Sequence, residues 1–168
     1  MNDRPAVGEP FDPAVRGWQA IVNHTAFGDL VGPIWRREDG GHLRFGFIVA
    51  PKHLNRAGNL HGGMLTTVAD QAMAMTARAA TGGKPHATIE LNIQFIDAVR
   101  LGEFVEVRPA VARAARSVVF MQAEMFVGAR LVATTNGIWK ILARKPSAGS
   151  SASTGDRPPP PSATPIDR

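Results

Sequence analysis

The sequence predicts an α+β fold in which one antiparallel sheet surrounds one long central helix. Residues 63–80 are the only long stretch with helical periodicity, and segments with the two-residue alternation of β-strands lie before and after it. Short turns join the later strands, as in an antiparallel meander. Helices and strands are therefore segregated along the chain, which is typical of the α+β class.

The elements before the central helix are short. Residues 11–23 have apolar side chains at roughly helical spacing and a first-turn proline, Pro13, which predicts a short amphipathic helix. Residues 30–37 predict a first strand, which ends in a turn at 38–41. Residues 41–50 alternate apolar and polar side chains, which predicts a second strand.

The predicted central helix, residues 63–80, is apolar around nearly its whole circumference. One face carries Met64, Leu65, Val68, Ala72, Met75 and Ala79. The opposite face carries Thr66, Asp70, Met73, Ala74 and Ala77. Because a helix that is apolar on both faces is buried on both, we expect the sheet to cover one face and a second chain to cover the other.

Four strands are predicted after the helix, at 86–98, 104–112, 117–127 and 131–142. In the first of them, strict alternation places Ile89, Leu91, Ile93 and Phe95 on one face. The other face then carries Thr88, Glu90, Asn92 and Gln94.

Composition divides the 168 residues into three parts. We expect an N-terminal arm at 1–10, one domain at 11–145, and a disordered tail at 146–168, because that last segment is almost entirely Pro, Ser, Ala, Gly and Thr. The absence of cysteine excludes a disulfide scaffold, a thiol nucleophile and a thiolate metal site.

The first residues carry acids and prolines where a signal peptide would be apolar, and no run is apolar enough to span a membrane. We therefore expect a cytoplasmic protein with no membrane partner. The net charge of +5 is spread along the chain. It is compatible with an ordinary surface or an anionic small ligand, whereas nucleic acid is not expected, because the basic residues do not alternate with exposed aromatics.

The candidate chemistry lies between residues 53 and 70. His61, Gly62 and Gly63 precede a helix whose first-turn N–H groups lack intrahelical acceptors, so they form a site for a carbonyl oxygen that gains negative charge. Asp70 places a carboxylate among apolar neighbours. Since eight residues of helix separate Gly62 from Asp70 by roughly 12 Å, the two groups can share a substrate only if two chains pack with antiparallel helices.

Each of these residues also has an ordinary structural interpretation. The glycine pair is compatible with a simple turn, and Asp70 with an ion pair to Arg56 or Arg78. His61 is compatible with a core histidine bonded to a backbone carbonyl. A metal site is not expected, because no third ligand at suitable spacing accompanies the two histidines of the segment.

This segment resembles the hotdog-fold acyl-CoA thioesterases, in particular the phenylacetate-pathway thioesterases of the 4-hydroxybenzoyl-CoA thioesterase superfamily. Their motif is matched at His53, Asn55, Gly58, His61, Gly62, Gly63 and Asp70, with every spacing kept. The resemblance extends through 89–103 and 113–117 and covers roughly residues 25–142.

The resemblance implies a homodimer with two shared sites, and commonly a homotetramer. By matching positions, the Gly62 amide would polarise the thioester carbonyl, assisted by Asn55 and His61. Asp70 of the other chain would attack the carbonyl or activate water, and Thr88 stands where relatives carry a serine that orients the water. No cofactor is implied beyond the coenzyme A of the substrate.

The resemblance also assigns residues to the two ends of the substrate. The phosphates and pantetheine of coenzyme A would meet Arg100, Arg113, Arg116 and Ser117. Candidates for the acyl pocket are Met73, Met75 and Phe95, which are equally compatible with a plain core. Two alternative functions are a non-catalytic acyl-CoA-binding module and an enoyl-CoA hydratase.

Overall fold

The computed structural model describes residues 11–22 and 25–143, which form one seven-stranded antiparallel sheet with the order β1-β2-β3-β5-β6-β7-β4. The predicted arm at 1–10 and tail at 146–168 lie outside the described residues. The elements are β1 (Gln19–Ala20), α1 (Ala26–Val31), β2 (Trp35–Asp39), β3 (His42–Ile48), a 3-10 turn (Pro51–His53), α2 (Gly62–Ala80), β4 (His86–Phe95), β5 (Phe104–Ala114), β6 (Val118–Val127) and β7 (Arg130–Ile141).

The predicted α+β class is confirmed, because every pair of neighbouring strands is antiparallel and the sheet packs on the single long helix α2. The core lies between them and includes the fully buried side chains Phe45, Phe47, Val68, Met73, Met125 and Trp139. Within the described residues, no helix has both the length and the apolar character that crossing a membrane requires.

The helix predicted for residues 11–23 is wrong. The chain makes one turn there, in which Arg16 and Trp18 donate backbone hydrogen bonds to the Pro13 carbonyl. Gly17 then adopts a positive φ of 77°, which ends the turn before a helix can propagate. The buried Trp18 leads directly into β1, which pairs with β2.

The strand predicted at 30–37 is wrong in its first half. Residues up to Val31 belong to α1, whose N-cap Thr25 accepts a hydrogen bond from the Gly28 N–H at 3.1 Å. Pro33 follows and has no N–H for a strand ladder, so β2 begins only at Trp35. A local cap and a proline thus override the apolar pattern.

The predicted central helix is confirmed as α2, although its two faces are divided differently. Met73 and Ala77, which the pattern placed on the face of Asp70, are buried, whereas Ala79, which it placed on the face of Met64 and Leu65, is exposed. The reason is that the curved sheet covers more of α2 than the face that carries Met64, Leu65 and Val68. The less buried stripe that remains carries Gly63, Thr66, Thr67, Asp70, Gln71, Ala74 and Arg78.

The strands predicted after the helix are confirmed as β4 to β7. β4 lies at the end of the sheet and, among the described residues, pairs only with β7, so none of them pairs with its other edge. Large apolar side chains are exposed in and beside this strand, since Ile89 is 58% exposed and Phe95 is 56% exposed. An unpaired edge with exposed apolar side chains is suited to pairing with another strand.

Candidate active site

His61 organises the N-terminus of α2. Its Nδ1 accepts a hydrogen bond from the Gly63 N–H at 2.9 Å, and its carbonyl accepts one from the Met64 N–H at 2.9 Å. In the part of the chain that the structure describes, no acceptor is recorded for the Gly62 N–H. The His61 N–H donates to the His53 carbonyl at 2.8 Å, so among the amides of His61, Gly62 and Gly63 only that of Gly62 has no recorded acceptor in the described residues.

The side chain of His61 is exposed, so the core-histidine interpretation does not apply to it. A neutral imidazole that accepts at Nδ1 carries its proton on Nε2. The Nε2–H of His61 is therefore a second donor beside the free amide.

The ring of Phe95 packs against Gly62. A Cβ atom at position 62 would lie 2.9 Å from Phe95 Cζ and 3.2 Å from its Cε1. Because position 62 is a glycine, the Phe95 ring of β4 can lie next to the amide. The ring therefore forms the border of the site on the β4 side.

The loop before α2 holds Asn55 in a structural contact. The Asn55 Oδ1 accepts hydrogen bonds from the Ala57 N–H at 2.9 Å and the Asn59 N–H at 3.2 Å. Gly58 completes the turn with a φ of 76°. The carbonyl of the Asn55 side chain therefore shapes the loop, and its NH₂ group is what remains for a ligand.

The buried histidine of the motif is His53, which is 4% exposed. Its Nδ1 accepts from the Ala50 N–H at 3.1 Å, and its Nε2–H donates to the Val31 carbonyl at 3.0 Å. Burial lowers the pKa of His53, and the nearby charge of Lys52 lowers it further. Because both ring nitrogens are occupied by the backbone, His53 has no lone pair for a metal.

Asp70 is half-buried and accepts a hydrogen bond from the Thr88 hydroxyl, with 2.7 Å between Thr88 Oγ1 and Asp70 Oδ1. Among the described residues no ion pair to Asp70 is recorded, and neither Arg56 nor Arg78 reaches it. The structure thus places these two predicted site residues together and leaves the second carboxylate oxygen without a recorded partner.

A β-bulge produces this contact. Thr88 pairs with Trp139 and Glu90 pairs with Ile138, so Ile89 is an extra residue in β4. Strict alternation had placed Thr88 on the face of Glu90 and Asn92, and this expectation is wrong. The extra residue shifts Thr88 to the face that β4 turns toward α2, where it reaches Asp70.

Gly62 and Asp70 lie on the same flank of α2. Gly62 contacts Phe95 near the end of β4, and Asp70 contacts Thr88 near its start. The two positions are eight residues apart in one helix, which is roughly 12 Å. One chain therefore holds both groups but does not bring them to one point.

The four residues assigned to coenzyme A fall at opposite ends of β5. Arg100 lies near the N-terminus of α2, where the Leu60 N–H donates to the Val99 carbonyl. Arg113, Arg116 and Ser117 lie at the other end of this 11-residue strand, about 30 Å away. There the Ser117 carbonyl accepts from the Ile141 N–H at 2.8 Å.

Arg130 was not singled out from the sequence, which offers no signal for it beyond a basic residue after a turn. Its guanidinium donates to Asp97 at 2.8 Å, to the Ala98 carbonyl at 2.7 Å and to Glu103 at 2.8 Å. The hydrogen bond from Arg130 lowers the pKa of Asp97. Arg130 thus fixes the loop that carries Arg100.

The acyl-pocket candidates are dispersed. Met73 is fully buried in the core, Met75 lines a cavity near the C-terminus of α2, and only Phe95 borders the free amide. A different cavity, of about 360 Å³, opens next to His61 and Gly63 under α1. This cavity was not predicted, because α1 was not predicted: residues 30–37 were expected to form a strand, and no element was assigned to residues 25–29.

Comparison with known proteins identifies the family of this chain. The thioesterase superfamily profile matches residues 57–134, which include α2 and its first-turn amides. A Pseudomonas aeruginosa protein with the provisional name of esterase is 30% identical over 127 residues, which are 74% of this chain and 95% of that protein. This chain belongs to the thioesterase superfamily.

Solved structures related to this superfamily member share its fold. A conserved protein of Pseudomonas aeruginosa is 29% identical, with a TM-score of 0.65 over 70% of this chain and 94% of that one. Zebrafish thioesterase superfamily member 2 is 22% identical, with a TM-score of 0.65 over 71% and 88% of the two chains. The expected hotdog fold is thereby confirmed.

Mouse acyl-coenzyme A thioesterase 13 is 23% identical over 77 residues, which are 46% of this chain and 55% of that protein. As a member of the thioesterase superfamily, the chain is a thioester hydrolase.

Proposed function

We propose that this thioesterase hydrolyses acyl-CoA thioesters at a site that two copies of the chain build together. The Gly62 N–H of one copy binds the carbonyl oxygen, and Asp70 of the other copy supplies the carboxylate. The hydrogen bond between Thr88 and Asp70 carries this proposal, because it orients a half-buried carboxylate that has no recorded ion pair.

A two-fold arrangement supports the shared site. If α2 packs against its copy in the antiparallel direction, position 62 of one helix lies opposite position 70 of the other. The unpaired edge of β4, with Ile89 and Phe95 exposed, is suited to the same two-fold contact. We therefore propose a homodimer as the smallest active unit, and a homotetramer as the assembly that the family resemblance implies.

The chemistry follows from the donors and the carboxylate. The Gly62 N–H stabilises the negative charge that develops on the thioester oxygen, and the His61 Nε2–H and the Asn55 NH₂ group are the further donors that we assign to the same oxygen. Asp70 either attacks the carbonyl carbon or takes a proton from a water that attacks it. The carbon–sulfur bond then breaks and the thiolate of coenzyme A leaves. If Asp70 attacked, water next hydrolyses the anhydride between Asp70 and the acyl group, which releases the acid, regenerates the carboxylate and supplies the proton for the thiolate. If water attacked, the acid forms directly and the proton held by Asp70 passes to the thiolate. Neither a metal nor a redox cofactor takes part in this scheme.

The same two-fold arrangement gathers the basic residues. Arg100 lies at the N-terminal end of α2, whereas Arg113, Arg116 and Ser117 lie at its C-terminal end. In an antiparallel pair the two ends coincide, so Arg100 of one copy comes to the same end as the other three residues of its partner. We propose that they bind the phosphates and pantetheine of coenzyme A in a cytoplasmic enzyme.

A panel of acyl-CoA substrates with thiol detection tests the function. The wild-type protein is expected to release free coenzyme A, and Asp70→Asn is expected to lose at least about 100-fold in kcat. Asp39→Asn is the matched control, since Asp39 is the last residue of β2, lies outside the 53–70 motif and is expected to retain activity.

Three outcomes would contradict the proposal. Tight acyl-CoA binding without turnover would favour a binding module. Hydration of an enoyl-CoA without thiol release would favour a hydratase. Full activity of Asp70→Asn would remove Asp70 from the mechanism.

A further inference from the structure

The β4–β5 loop, residues 96–103, lies against the segment that leads into α2. The Leu60 N–H donates to the Val99 carbonyl at 2.8 Å, and Leu60 lies two residues before Gly62. Directly before the loop, the Phe95 ring packs on Gly62. The position of the Gly62 amide therefore depends on where this loop is held.

Side-chain packing holds little of the β4–β5 loop. Of residues 96–103, all of which the structure describes, only Val99 is buried. The other large apolar side chains of the loop are exposed, since Ile96 is 52% exposed and Leu101 is 53% exposed. Because segments with few buried apolar contacts open most easily, the position of this loop depends on its hydrogen bonds.

Arg130, the first residue of β7, supplies three of those hydrogen bonds. One guanidinium nitrogen donates to the Asp97 carboxylate at 2.8 Å and to the Ala98 carbonyl at 2.7 Å, and another donates to Glu103 at 2.8 Å. The Glu103 carboxylate also accepts from the Arg100 N–H at 2.7 Å. Because the guanidinium is a rigid fork of donors, one side chain connects the two ends of the loop.

This network contributes more to geometry than to stability. The Arg130 side chain is 36% exposed, and ion pairs at such positions add little to the free energy of unfolding. Hydrogen bonds between charged groups are nevertheless short and directional, so they fix the atoms that they join. The hydrogen bond from Arg130 lowers the pKa of Asp97, which keeps this carboxylate ionised at neutral pH.

We propose that Arg130 is a positioning residue for the Gly62 amide. By holding the β4–β5 loop, it keeps Leu60 and the Phe95 ring in the places that fix the direction of the Gly62 N–H. This inference rests on the proposed function, in which that N–H binds the thioester oxygen. Donors of this kind act through preorganisation, and a misplacement of about 1 Å can cost about 100-fold in rate.

Steady-state kinetics of Arg130→Gln with acyl-CoA test the proposal. We expect kcat at saturating substrate to fall about tenfold or more, because the misplaced amide stabilises the oxyanion less well. Arg130→Lys keeps the charge but loses the fork, so it is expected to fall less, and it replaces Arg130→Gln in every test if that variant does not fold. A change confined to KM would overturn the proposal, because Arg130 would then act only on coenzyme A through Arg100.

Arg108→Gln is the matched control. Arg108 is 38% exposed and donates to Glu106 at 2.8 Å, so it resembles Arg130 in exposure and pairing, but it has no recorded contact with residues 96–103. It is expected to keep the wild-type kcat, and the urea midpoints of the two glutamine variants are expected to be similar. An unchanged kcat in Arg130→Gln, or an equal fall in Arg108→Gln, would overturn the proposal.

Subunit exchange separates positioning of Gly62 from a general loss of structure. In the proposed homodimer, Arg130 and Gly62 of one chain serve one site, whereas Asp70 of that chain serves the other. Mixed dimers of Arg130→Gln with Asp70→Asn therefore hold one intact site, and the mixture is expected to reach about one quarter of the wild-type activity. Mixed dimers of Arg130→Gln with Gly62→Ala hold none, so that mixture is expected to stay at the mean of the two variants.

The mixture of Gly62→Ala with Asp70→Asn is the positive control for the shared site. If it recovers activity while Arg130→Gln with Asp70→Asn does not, the inference is overturned and the proposed function stands. A gain in the mixture of Arg130→Gln with Gly62→Ala would likewise place Arg130 outside the Gly62 half of the site. A wild-type protein that hydrolyses no acyl-CoA would overturn the proposed function, and this inference with it.

Discussion

The Thr88 hydroxyl donates a 2.7 Å hydrogen bond to Asp70 across 18 positions of the chain. The contact connects the edge strand β4 to the less buried stripe of α2, and it exists because Ile89 is an extra residue in the β4–β7 ladder. Bulges of this kind often re-aim side chains next to active sites. The orientation of the proposed catalytic carboxylate therefore depends on the pairing of a strand that is remote from it in sequence.

The Thr88–Asp70 hydrogen bond is expected to matter for turnover. Thr88→Val removes the donor while keeping the shape of the side chain, so kcat is expected to fall about tenfold or more, in line with a hydrogen bond to a charged group. Thr88→Ser retains the hydroxyl and is expected to stay within a few-fold of the wild type. Equal activity of the Val and Ser variants, measured by acyl-CoA hydrolysis, would argue against this role.

Gly62→Ala is expected to separate activity from stability. The added Cβ would meet the far end of the exposed Phe95 ring at 2.9 Å, and this ring can move away at little cost to folding. The displaced ring and the new methyl group crowd the amide, so activity is expected to fall at least about tenfold while the urea midpoint stays close to that of the wild type. The double variant with Phe95→Ala is expected to recover part of the activity. If it does not, crowding by the ring is not the cause.

Mixing two inactive variants tests whether the site is shared. Asp70→Asn and Gly62→Ala each damage both sites of a homodimer, but their heterodimer holds one intact site. After subunits are exchanged at equal concentrations, about one quarter of the wild-type activity is expected, because half the dimers are mixed and each of these has one working site of two. No recovery after exchange, with mixed dimers verified by mass spectrometry, would place the whole site in one chain.

His53 is expected to make stability depend on pH. Burial lowers its pKa below the ordinary value of 6.5, so the unfolded chain binds the proton more readily than the folded one. The contribution of His53 to the free energy of unfolding is fully present above pH 6.5. It decreases as the pH falls from 6.5 toward the lowered pKa of the folded state. Urea unfolding between about pH 7.5 and 5 measures this decrease.

The control for His53 is the exposed histidine of the same motif. His53→Gln is expected to have a smaller decrease in stability over this range than the wild type, because the titrating group is gone. His61→Gln, which removes an exposed ring, is expected to keep the wild-type slope. The reverse order of slopes would mean that burial of His53 does not govern the pH dependence.

The sequence predictions were accurate where a pattern repeats over many residues, and they were wrong where one or two residues set the boundary of a short element. The helix α2 was predicted to within one residue, because its apolar periodicity continues for five turns. The helix expected at 11–23 failed because Gly17 ended it after one turn, and the strand expected at 30–37 failed because Thr25 and Pro33 set local boundaries. In a short segment, a single residue of this kind decides the local structure, because few other residues favour the predicted element.

By itself, the sequence determined that Gly62 and Asp70 stand eight residues apart on one long helix, because helix geometry depends only on neighbours along the chain. Only the tertiary structure decided that Thr88 faces Asp70, since an apolar Ile89 looks the same in sequence whether or not it is the bulged residue. It also decided which histidine is buried and that α1 covers a cavity beside the free amide. These outcomes depend on contacts between segments distant in sequence, which alternation and spacing do not encode.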